Sequence, residues 1–512
     1  MQIPRCLVAV LAASTALAAS PALASYGFYV GKNKTESGGV LIGGTGEEVS
    51  SHWLEIVPAQ THEEGTTVEV GVTEDASIPG RTTEIPQVSE AYRYLSMFYS
   101  DFAGFPAPLT NGGINEHQVA VRDIWATNRS ELIEMTPRPQ EGPQYSDLAR
   151  LVMERATTAR EGVELIGQLI EEHGYSTYGG NTHLIADPNE GWVVWEFAGG
   201  QGLWAAERLG PDDIRVLYPG YIEDFPEDFQ DNPEYMGADN IVDFAVEQGW
   251  FDPEGDEPFN IFEVYGSQAE DDEARTGGFK YRTQAEIEQD LEEMAPVSED
   301  EMMAAVRDRR IADDEAGYGQ VASLEEGVDP DMIQIWVAPT GSVTAPFNPW
   351  WLGVQEVPME YGAHRYLTKD AASTFLDPDF QIQEATDLAG RTFKQVMYFT
   401  CENPESYLPV VTDMLEGFEA QSQEDLGWVE ASAQGLIDAD QRDDARALLT
   451  HYATTRAMEA LELGQTMADG LEAHLRMTSG LRRPEGKQMN SSGGETVNCL
   501  ADADPDVPAS EQ

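Results

Sequence analysis

The chain has 512 residues, and its 92 acidic against 30 basic side chains give a formal net charge of −62. This charge excludes nucleic-acid binding through phosphates, which requires a basic face, and a hydrophobic share of 41% with ten tryptophans excludes general disorder. The acidic residues are spread through every segment, so the surface repels itself at low ionic strength, and we expect a saline habitat.

The first residues have the layout of a secretory signal peptide. A basic start at Arg5 precedes an apolar run over 6–19 and an A-x-A site that ends at Ala24. The run is too short for a membrane span of about 20 residues. Cleavage after Ala24 is therefore expected to release a periplasmic or secreted protein, free of the membrane, whose first residue is Ser25.

An N-terminal serine carries a nucleophile and a base on one residue. Its α-amine titrates near pH ~7.7–8.0, so much of it is neutral at physiological pH and can accept the hydroxyl proton. Apolar segments at 28–30 and 40–42, separated by a polar turn, predict a hairpin directly after this residue. Any residue can follow a signal peptidase site, so position alone makes Ser25 a candidate only.

Several other chemistries lack their sequence motifs. The Gly43-Gly44-Thr45-Gly46 segment has no Lys-Ser/Thr ending, which excludes a nucleotide-binding phosphate loop. The eight histidines show no H-E-x-x-H spacing, and the chain has no G-x-S-x-G elbow and no calcium loop. The sequence therefore predicts neither a metal nor a cofactor.

The rest of the chain alternates between strand and helix patterns. Thr158 and Glu161 have capping-box spacing at the start of an amphipathic helix that Gly174 ends. Residues 210–300 are acidic and irregular and are predicted to be insertions that border a cleft. Strands are predicted at 182–186, 192–197, 203–209 and 332–338. Helices are predicted at 298–309, 385–399, 405–421 and 438–477.

Several segments resemble peptidase family C69, the dipeptidases related to the secernins. The N-E-H-Q-V-A segment at 115–120 follows an N-terminal V-G-K strand at 30–32. Further segments resemble the family in the same order, at 154–161, 186–192, 307–308 and 346–358. The resemblance extends from Ser25 to about Tyr398.

This resemblance implies an α+β N-terminal-nucleophile hydrolase with a four-layer αββα sandwich that cleaves dipeptides. A helical module is expected to follow the sandwich, and a Gly-, Ser-, Asp- and Pro-rich end predicts disorder. The predicted parts are a signal peptide at 1–24, a catalytic domain at 25–369, a helical C-terminal module at 370–481 and a disordered acidic tail at 482–512.

The register of the V-G-K segment places Ser25 where the family has its nucleophilic cysteine. Serine is a weaker nucleophile and depends more on its base. Relatives often carry Arg or His at the position of Gly44. This difference leaves open whether Glu47 or Glu48 pairs with the α-ammonium that cleavage would create on Ser25. Glu47 is our candidate for that role.

Three more residues are candidates near the N-E-H-Q segment. Asn115 is a candidate oxyanion donor, with backbone groups near 124–125 as the alternative. Arg122 is a candidate receptor for a substrate carboxylate, with a surface salt bridge as the alternative. Trp125 is a further candidate substrate contact.

The leading hypothesis is an exported dipeptidase acting on small peptides, with oligomeric state left open. An N-acyl amide hydrolase on the same fold is the first alternative, and a non-catalytic binding protein is the second. After signal cleavage, Cys401 and Cys499 remain. They are predicted to pair in an oxidising compartment, with two free thiols as the alternative.

Overall fold

The computed structural model contains two β-sheets packed face to face, with helices against the outer face of each. It describes residues 25–47, 52–101, 103–217, 220–269, 282–311, 316–364, 381–478 and 500. The predicted signal peptide and most of the predicted tail lie outside these residues. Among the described helices, none is long and apolar enough to cross a membrane.

One sheet has six strands, each antiparallel to its neighbours. Its strands lie in the order β14 (Ile214–Leu217), β1 (Gly27–Val30), β2 (Val40–Glu47), β16 (Ala316–Leu324), β17 (Gln334–Ala338) and β18 (Asn348–Trp351). The pairing of β1 with β2 agrees with the predicted hairpin. The prediction of irregular structure was wrong at β14, because four residues are too few for an alternation pattern to stand out.

The other main sheet has eight strands. They lie in the order β15 (Tyr235–Gly237), β13 (Trp204–Leu209), β12 (Gly191–Glu196), β11 (Asn181–Ala186), β10 (Ala120–Trp125), β9 (Leu109–Asn115), β8 (Tyr94–Tyr99) and β3 (His52–Val57). Every residue of β11 and β12 is buried, because both faces of the sheet are covered. Two small pairs join β4 (Gln60–Thr61) to β7 (Glu90–Ala91) and β5 (Thr67–Val70) to β6 (Thr83–Pro86).

The described helices form the two outer layers and the connections between strands. Their bounds are α1 (Ser130–Glu134), α2 (Tyr145–Arg155), α3 (Ala159–His173), α4 (Ile241–Gln248), α5 (Ile261–Tyr265), α6 (Gln284–Met294), α7 (Glu299–Val306), α8 (Gln381–Ala385), α9 (Ala389–Thr400), α10 (Pro404–Asp438) and α11 (Arg442–Thr478). Helices α2 and α3 share a core with the eight-stranded sheet. Helices α6, α7, α9, α10 and α11 share one with the six-stranded sheet. The four-layer αββα arrangement is therefore confirmed.

Helix α3 begins and ends where the sequence predicts. The Thr158 hydroxyl accepts a hydrogen bond from the Glu161 backbone N–H at 3.1 Å, and Gly174 caps the other end. The return half of the capping box differs, because the Glu161 carboxylate accepts from the backbone N–H of Thr157 instead of Thr158. The backbone N–H groups of Thr157 and Glu161 are both satisfied in this way, although the first lies one residue before the helix cap.

The C-terminal helices are integral to the outer layer of the six-stranded sheet. Phe393 of α9 and Leu415 of α10 pack in one cluster with Phe28 of β1. A buried pair also joins α10 to the segment after α7, since the Arg307 Nη1 donates to Glu419 Oε2 at 2.9 Å. The predicted boundary at 369/370 lies outside the described residues.

Cys401 is disulfide-bonded. Cys499, its predicted partner, lies outside the described residues. The adjacent Leu500 is buried in a small cluster with Met397 and Leu408 against which Cys401 packs. This position of Leu500 is consistent with the predicted Cys401–Cys499 bond.

Candidate active site

The first described residues alternate between the two faces of the six-stranded sheet. Tyr26 and Phe28 belong to the outer, helix-covered cluster, whereas Tyr29 belongs to the cluster between the sheets. A Cβ on Gly27 would lie 2.9 Å from Ile124 of the facing sheet, so Gly27 also faces inward. Alternation therefore directs the side chain of Ser25, which is only 5% exposed, into the space between the sheets.

Gly46 of β2 leaves room beside Ser25 for the ring of a tyrosine. The Tyr26 backbone N–H donates to Thr45 Oγ1 at 3.3 Å, and the Thr45 N–H donates to the Tyr26 carbonyl at 3.1 Å. Continuing this antiparallel pairing by one residue puts Ser25 beside Gly46. A Cβ on Gly46 would overlap the ring of Tyr318, so only glycine leaves room for that ring at this point.

Two buried polar side chains of β16 face the same space. Tyr318 pairs with Gly46 and Gln320 pairs with Gly44, and both side chains are fully buried. Among the residues that the structure describes, the Tyr318 hydroxyl and both amide atoms of Gln320 have no hydrogen-bond partner. Unpaired polar groups in a protein interior are costly, and they are typical of places where a ligand or water completes the hydrogen bonds.

Arg122 enters this space from the facing sheet. It is 1% exposed and alternates along β10 with Val121 of the helix-covered cluster, so it points between the sheets. Within the described segments its Nε has no partner, and its one hydrogen bond there is a long contact of 3.4 Å from Nη1 to the Val121 carbonyl. Burial lowers the pKa of Arg122, and only Tyr318 opposes this effect. The surface salt-bridge alternative is wrong, because this guanidinium is buried and unpaired within the described chain.

A network of hydrogen-bonded side chains begins at His52, beside these unpaired groups, and extends to the outer face of the eight-stranded sheet. The His52 ring lies 5.2 Å from the Tyr318 ring, and its Nε2 lies 3.1 Å from Asn111 Oδ1. Asn111 donates to Asp123 Oδ2 at 2.9 Å, and Asn181 donates to Asp123 Oδ1 at 2.5 Å. The network fixes His52 at the margin of the site.

The network continues into a buried ion-pair under helix α2. His183 Nδ1 lies 2.6 Å from Glu196 Oε1, and its Nε2 lies 3.1 Å from the Tyr145 carbonyl. Burial alone would lower the pKa of His183, but the Glu196 and Asp123 carboxylates and the hydrogen bond to the Tyr145 carbonyl together outweigh it, and the pKa is raised. These groups face away from Ser25. Sequence reasoning missed them because each is a single polar residue inside a strand.

Asn115 is occupied by structural hydrogen bonds, which corrects its predicted role. Its Nδ2 donates to the carbonyls of Met153 at 3.0 Å and Ala156 at 2.8 Å. Its Oδ1 accepts from the backbone N–H groups of His117 at 2.9 Å and Val119 at 3.0 Å. With both amide protons used, Asn115 ties the end of α2 to the β9–β10 turn and has no proton left for an oxyanion.

The remaining two candidates are not brought to Ser25 by what the structure describes. Glu47 ends β2 with its backbone paired to Ala316, and its side chain lies outside the description. Trp125 ends β10, where its carbonyl accepts from the Gly220 N–H at 3.0 Å. Alternation directs the Trp125 side chain to the face opposite Ile124, away from the space between the sheets.

Within the described residues, no group of three or more His, Cys, Asp or Glu side chains is arranged to hold a metal ion. The described side chains that face the space between the sheets here are the hydroxyl of Ser25, the guanidinium of Arg122, the phenol of Tyr318 and the amide of Gln320.

Comparison with known proteins identifies the family. The sequence model described as peptidase family C69 matches residues 30–306. This match spans more than half of the chain. The chain belongs to peptidase family C69. The matched residues begin after Ser25 and end before Tyr318 and Gln320. Arg122, which faces the same space between the sheets, lies within the match.

Curated relatives of this C69 protein are named as dipeptidases. A "Dipeptidase" of Bifidobacterium longum is 31% identical over 31% of this chain and 32% of its own length. A "Probable dipeptidase B" of Streptococcus pyogenes is 26% identical over 49% of this chain and 48% of its own. A "Probable dipeptidase B" of Lactococcus lactis is 33% identical over 31% of this chain and 32% of its own. The chain thus matches about a third to a half of the length of these relatives.

Among solved structures, a variant of conjugated bile acid hydrolase from Clostridium perfringens is similar. It covers 68% of this chain and all of its own, with 12% identity and a TM-score of 0.31. A similarity this weak supports no argument about the C69 site.

Proposed function

We propose that the mature protein is an exported dipeptidase in which Ser25 is the N-terminal nucleophile. The observation that supports this most directly is the strand alternation that directs Ser25 between the sheets, toward buried and unpaired polar groups. Membership of family C69 supports peptide-bond hydrolysis, and the names of the relatives support dipeptides as substrates.

In the first half of the reaction, Ser25 Oγ forms a bond to the peptide carbonyl carbon while its proton passes to the α-amine of Ser25. The carbonyl π-electron pair moves onto oxygen and forms a tetrahedral oxyanion. When this intermediate collapses, the C–N bond breaks and the leaving amine takes the proton from the ammonium.

The first half leaves an ester on Ser25. Water then attacks the ester carbonyl carbon, gives its proton to the same α-amine and forms a second oxyanion. Collapse of this intermediate breaks the bond to Oγ, and the ammonium proton returns to the hydroxyl. The sequence of steps consumes one water and needs no cofactor.

Arg122 is proposed to bind the free carboxylate of the dipeptide. Its buried guanidinium lacks a carboxylate among the described residues and has donors to spare. A bidentate pair with a substrate carboxylate would neutralise it and use those donors. Glu47 remains our proposed partner for the ammonium of Ser25, on its position at the end of β2.

Export is part of the proposal. The A-x-A site before Ser25 supports it, as does the disulfide at Cys401, because disulfides persist mainly in oxidising compartments. A saline environment is supported only by the charge of the chain.

The test uses exported protein with its N-terminus sequenced, assayed on dipeptides and on N-acyl amino acids. We expect dipeptide turnover by the wild type, loss of at least about a thousandfold in Ser25→Ala, and turnover in Ser25→Cys, because a thiol is the stronger nucleophile. Ser176→Ala removes a buried hydroxyl elsewhere and is the matched control.

Three results would contradict the proposal in different ways. Turnover of N-acyl amino acids alone would favour the acylase. Full activity in Ser25→Ala would exclude Ser25 as the nucleophile. A wild type without any amide hydrolysis would favour a binding protein.

A further inference from the structure

Tyr318 has a buried hydroxyl that the described part of the fold does not use. The side chain is fully buried, and its Oη has no hydrogen-bond partner among the described residues. A tyrosine inside a protein usually finds a partner for its hydroxyl, because burying an unpaired polar group destabilises the fold. The fold retains this cost at Tyr318, beside the candidate nucleophile, as it does at Gln320 and Arg122.

The ring of Tyr318 leans toward the N-terminal serine. Tyr318 and Ser25 flank Gly46 on neighbouring strands, which places their Cα atoms about 10 Å apart. The Tyr318 Oη lies only 2.9 Å from the position that a Cβ on Gly46 would take. The hydroxyl therefore stands over the glycine, between its own strand and that of Ser25.

A β-bulge in β16 sets the orientation of the Tyr318 side chain. The register of β16 against β2 shifts between Ala316 and Tyr318, so the intervening residue is left out of the pairing. Such bulges bend a strand and redirect side chains, and they are frequent next to active sites. A regular strand would place the phenol differently over Gly46.

The phenol is held in its protonated form. Burial raises the pKa of Tyr318 well above its ordinary value, although the charge of Arg122 opposes this and Asp123 adds to it. A neutral hydroxyl can donate a hydrogen bond to a negative oxygen, whereas a phenolate cannot. The nearby guanidinium also favours negative charge at this place.

We infer that the Tyr318 hydroxyl is the side-chain donor of the oxyanion hole, and thus a catalytic residue of the Ser25 reaction. It takes the role that the hydrogen bonds of Asn115 exclude for that residue. The inference rests on the proposed acyl transfer at Ser25 but not on the dipeptide as substrate, because every amide or ester attacked there forms an oxyanion.

The test compares Tyr318→Phe with Tyr361→Phe. The Tyr361 hydroxyl is buried but donates to the Ala457 carbonyl at 2.7 Å, so it is the matched structural control. Loss of an oxyanion donor lowers kcat about 10²–10³-fold, and we expect this for Tyr318→Phe with KM within threefold. We also expect its melting temperature to stay unchanged or rise, since only an unpaired hydroxyl is removed. Tyr361→Phe should melt lower and keep its kcat.

Two results for Tyr318→Phe would overturn the inference. One is a kcat within threefold of the wild type on a substrate whose turnover needs Ser25. The other is a melting temperature that falls as in Tyr361→Phe, because the hydroxyl would then be structural.

The substrate panel separates this inference from the proposed function. If the wild type cleaves only N-acyl amino acids, the dipeptidase proposal fails and the kcat comparison on those substrates still decides the role of Tyr318. If no amide or ester is cleaved, both fail together.

Discussion

A buried arginine with no acidic partner in the described chain is the most unusual residue of the candidate site. Ion pairing normally offsets the desolvation of a buried charge, and Arg122 has in its place a single long hydrogen bond to a described residue. A residue in this condition destabilises the unliganded fold and gains most from binding an anion. Tyr318 and Gln320, which face Arg122 in the space between the sheets, also have polar atoms that are buried and unpaired among the described residues.

Replacing Arg122 with methionine should separate binding from stability. We expect KM for a dipeptide to rise about 10–100-fold, equivalent to about 1.4–2.7 kcal/mol, with little change for the dipeptide amide, which lacks the carboxylate. The variant should be at least as stable as the wild type, because an unpaired buried charge is removed.

Arg150→Met is the matched control for this variant. Arg150 is half-buried but paired with Asp147 at 3.1 Å and Glu154 at 3.2 Å. Its loss should destabilise the fold by about 3–5 kcal/mol and leave KM unchanged. Equal KM increases for the dipeptide and its amide in Arg122→Met would contradict carboxylate binding.

Asn115→Ala tests the structural role of that residue. The four hydrogen bonds of Asn115 lie at the end of α2 and the turn after β9, so we expect a loss of about 2–4 kcal/mol in urea unfolding. The kcat of the folded fraction should stay within a few-fold. A hundredfold lower kcat with unchanged stability would restore Asn115 as an oxyanion donor.

These residues show which parts of a site a sequence can predict. Ser25 is a candidate from the sequence because a hydroxyl and an amine on one residue form a local pair, and its role remains a prediction. Arg122 is a candidate by residue type, and only the fold shows that it is buried between the sheets. Asn115 and Trp125 were misjudged, since hydrogen bonds to Met153 and the face of a strand end depend on the tertiary fold. Tyr318 could not be proposed from the sequence because its contact with Gly46 is made across the sheet.

At the scale of elements, strong local patterns were predicted well. Helix α3 has both a cap and an apolar face, and the strands β11 to β13 are long and separated by turns, so all appeared near their predicted bounds. Helix α10 extends well beyond the predicted 405–421, because its later turns pack on β18 and α11 instead of following one apolar stripe. Strand β14 is stabilised by its antiparallel pairing with β1, which its own sequence does not indicate.

A large acidic cavity of about 870 Å³ lies between helices α7 and α10 and the edge of the β16–β17 strands. Burial raises the pKa of Glu299 in this cavity to about 7, and the nearby carboxylates of Glu430, Glu325 and Asp300 add to the effect. The folded protein therefore holds a proton at Glu299 that the unfolded chain has already released.

The contribution of Glu299 to the free energy of unfolding should accordingly fall as pH rises from about 4.5 to 7. Glu299→Gln removes this titration, so we expect it to exceed the wild type by about 1–3 kcal/mol in urea unfolding at pH 8. The difference should shrink toward pH 5. Glu326→Gln, exposed at the cavity rim, should change stability by less than about 0.5 kcal/mol. A pH-independent difference between Glu299→Gln and the wild type would contradict the assignment.

At the scale of the whole molecule, charge is the dominant feature. The net charge of −62 gives strong self-repulsion, and exposed charges more than about 8–10 Å apart are largely screened near 0.1–0.15 M salt. We therefore expect the melting temperature to rise mainly over the first few hundred millimolar sodium chloride. A flat or falling midpoint would show that repulsion does not limit stability, and continued gain into molar salt would indicate ion binding or strengthened apolar burial.

The account depends above all on acyl transfer to the first residue of the mature chain. The direct measurement mixes exported protein with a dipeptide, quenches by rapid denaturation at neutral pH, and determines the mass of the N-terminal peptide. An ester on Ser25 has its own α-amine beside it, so denaturation at this pH should move the acyl group from oxygen to nitrogen and preserve it as an amide. We predict that the peptide starting at Ser25 gains the mass of one aminoacyl residue, which is the N-terminal amino acid of the dipeptide less one water. A mature chain that begins at any other residue, or an acyl group found elsewhere, would contradict the mechanism.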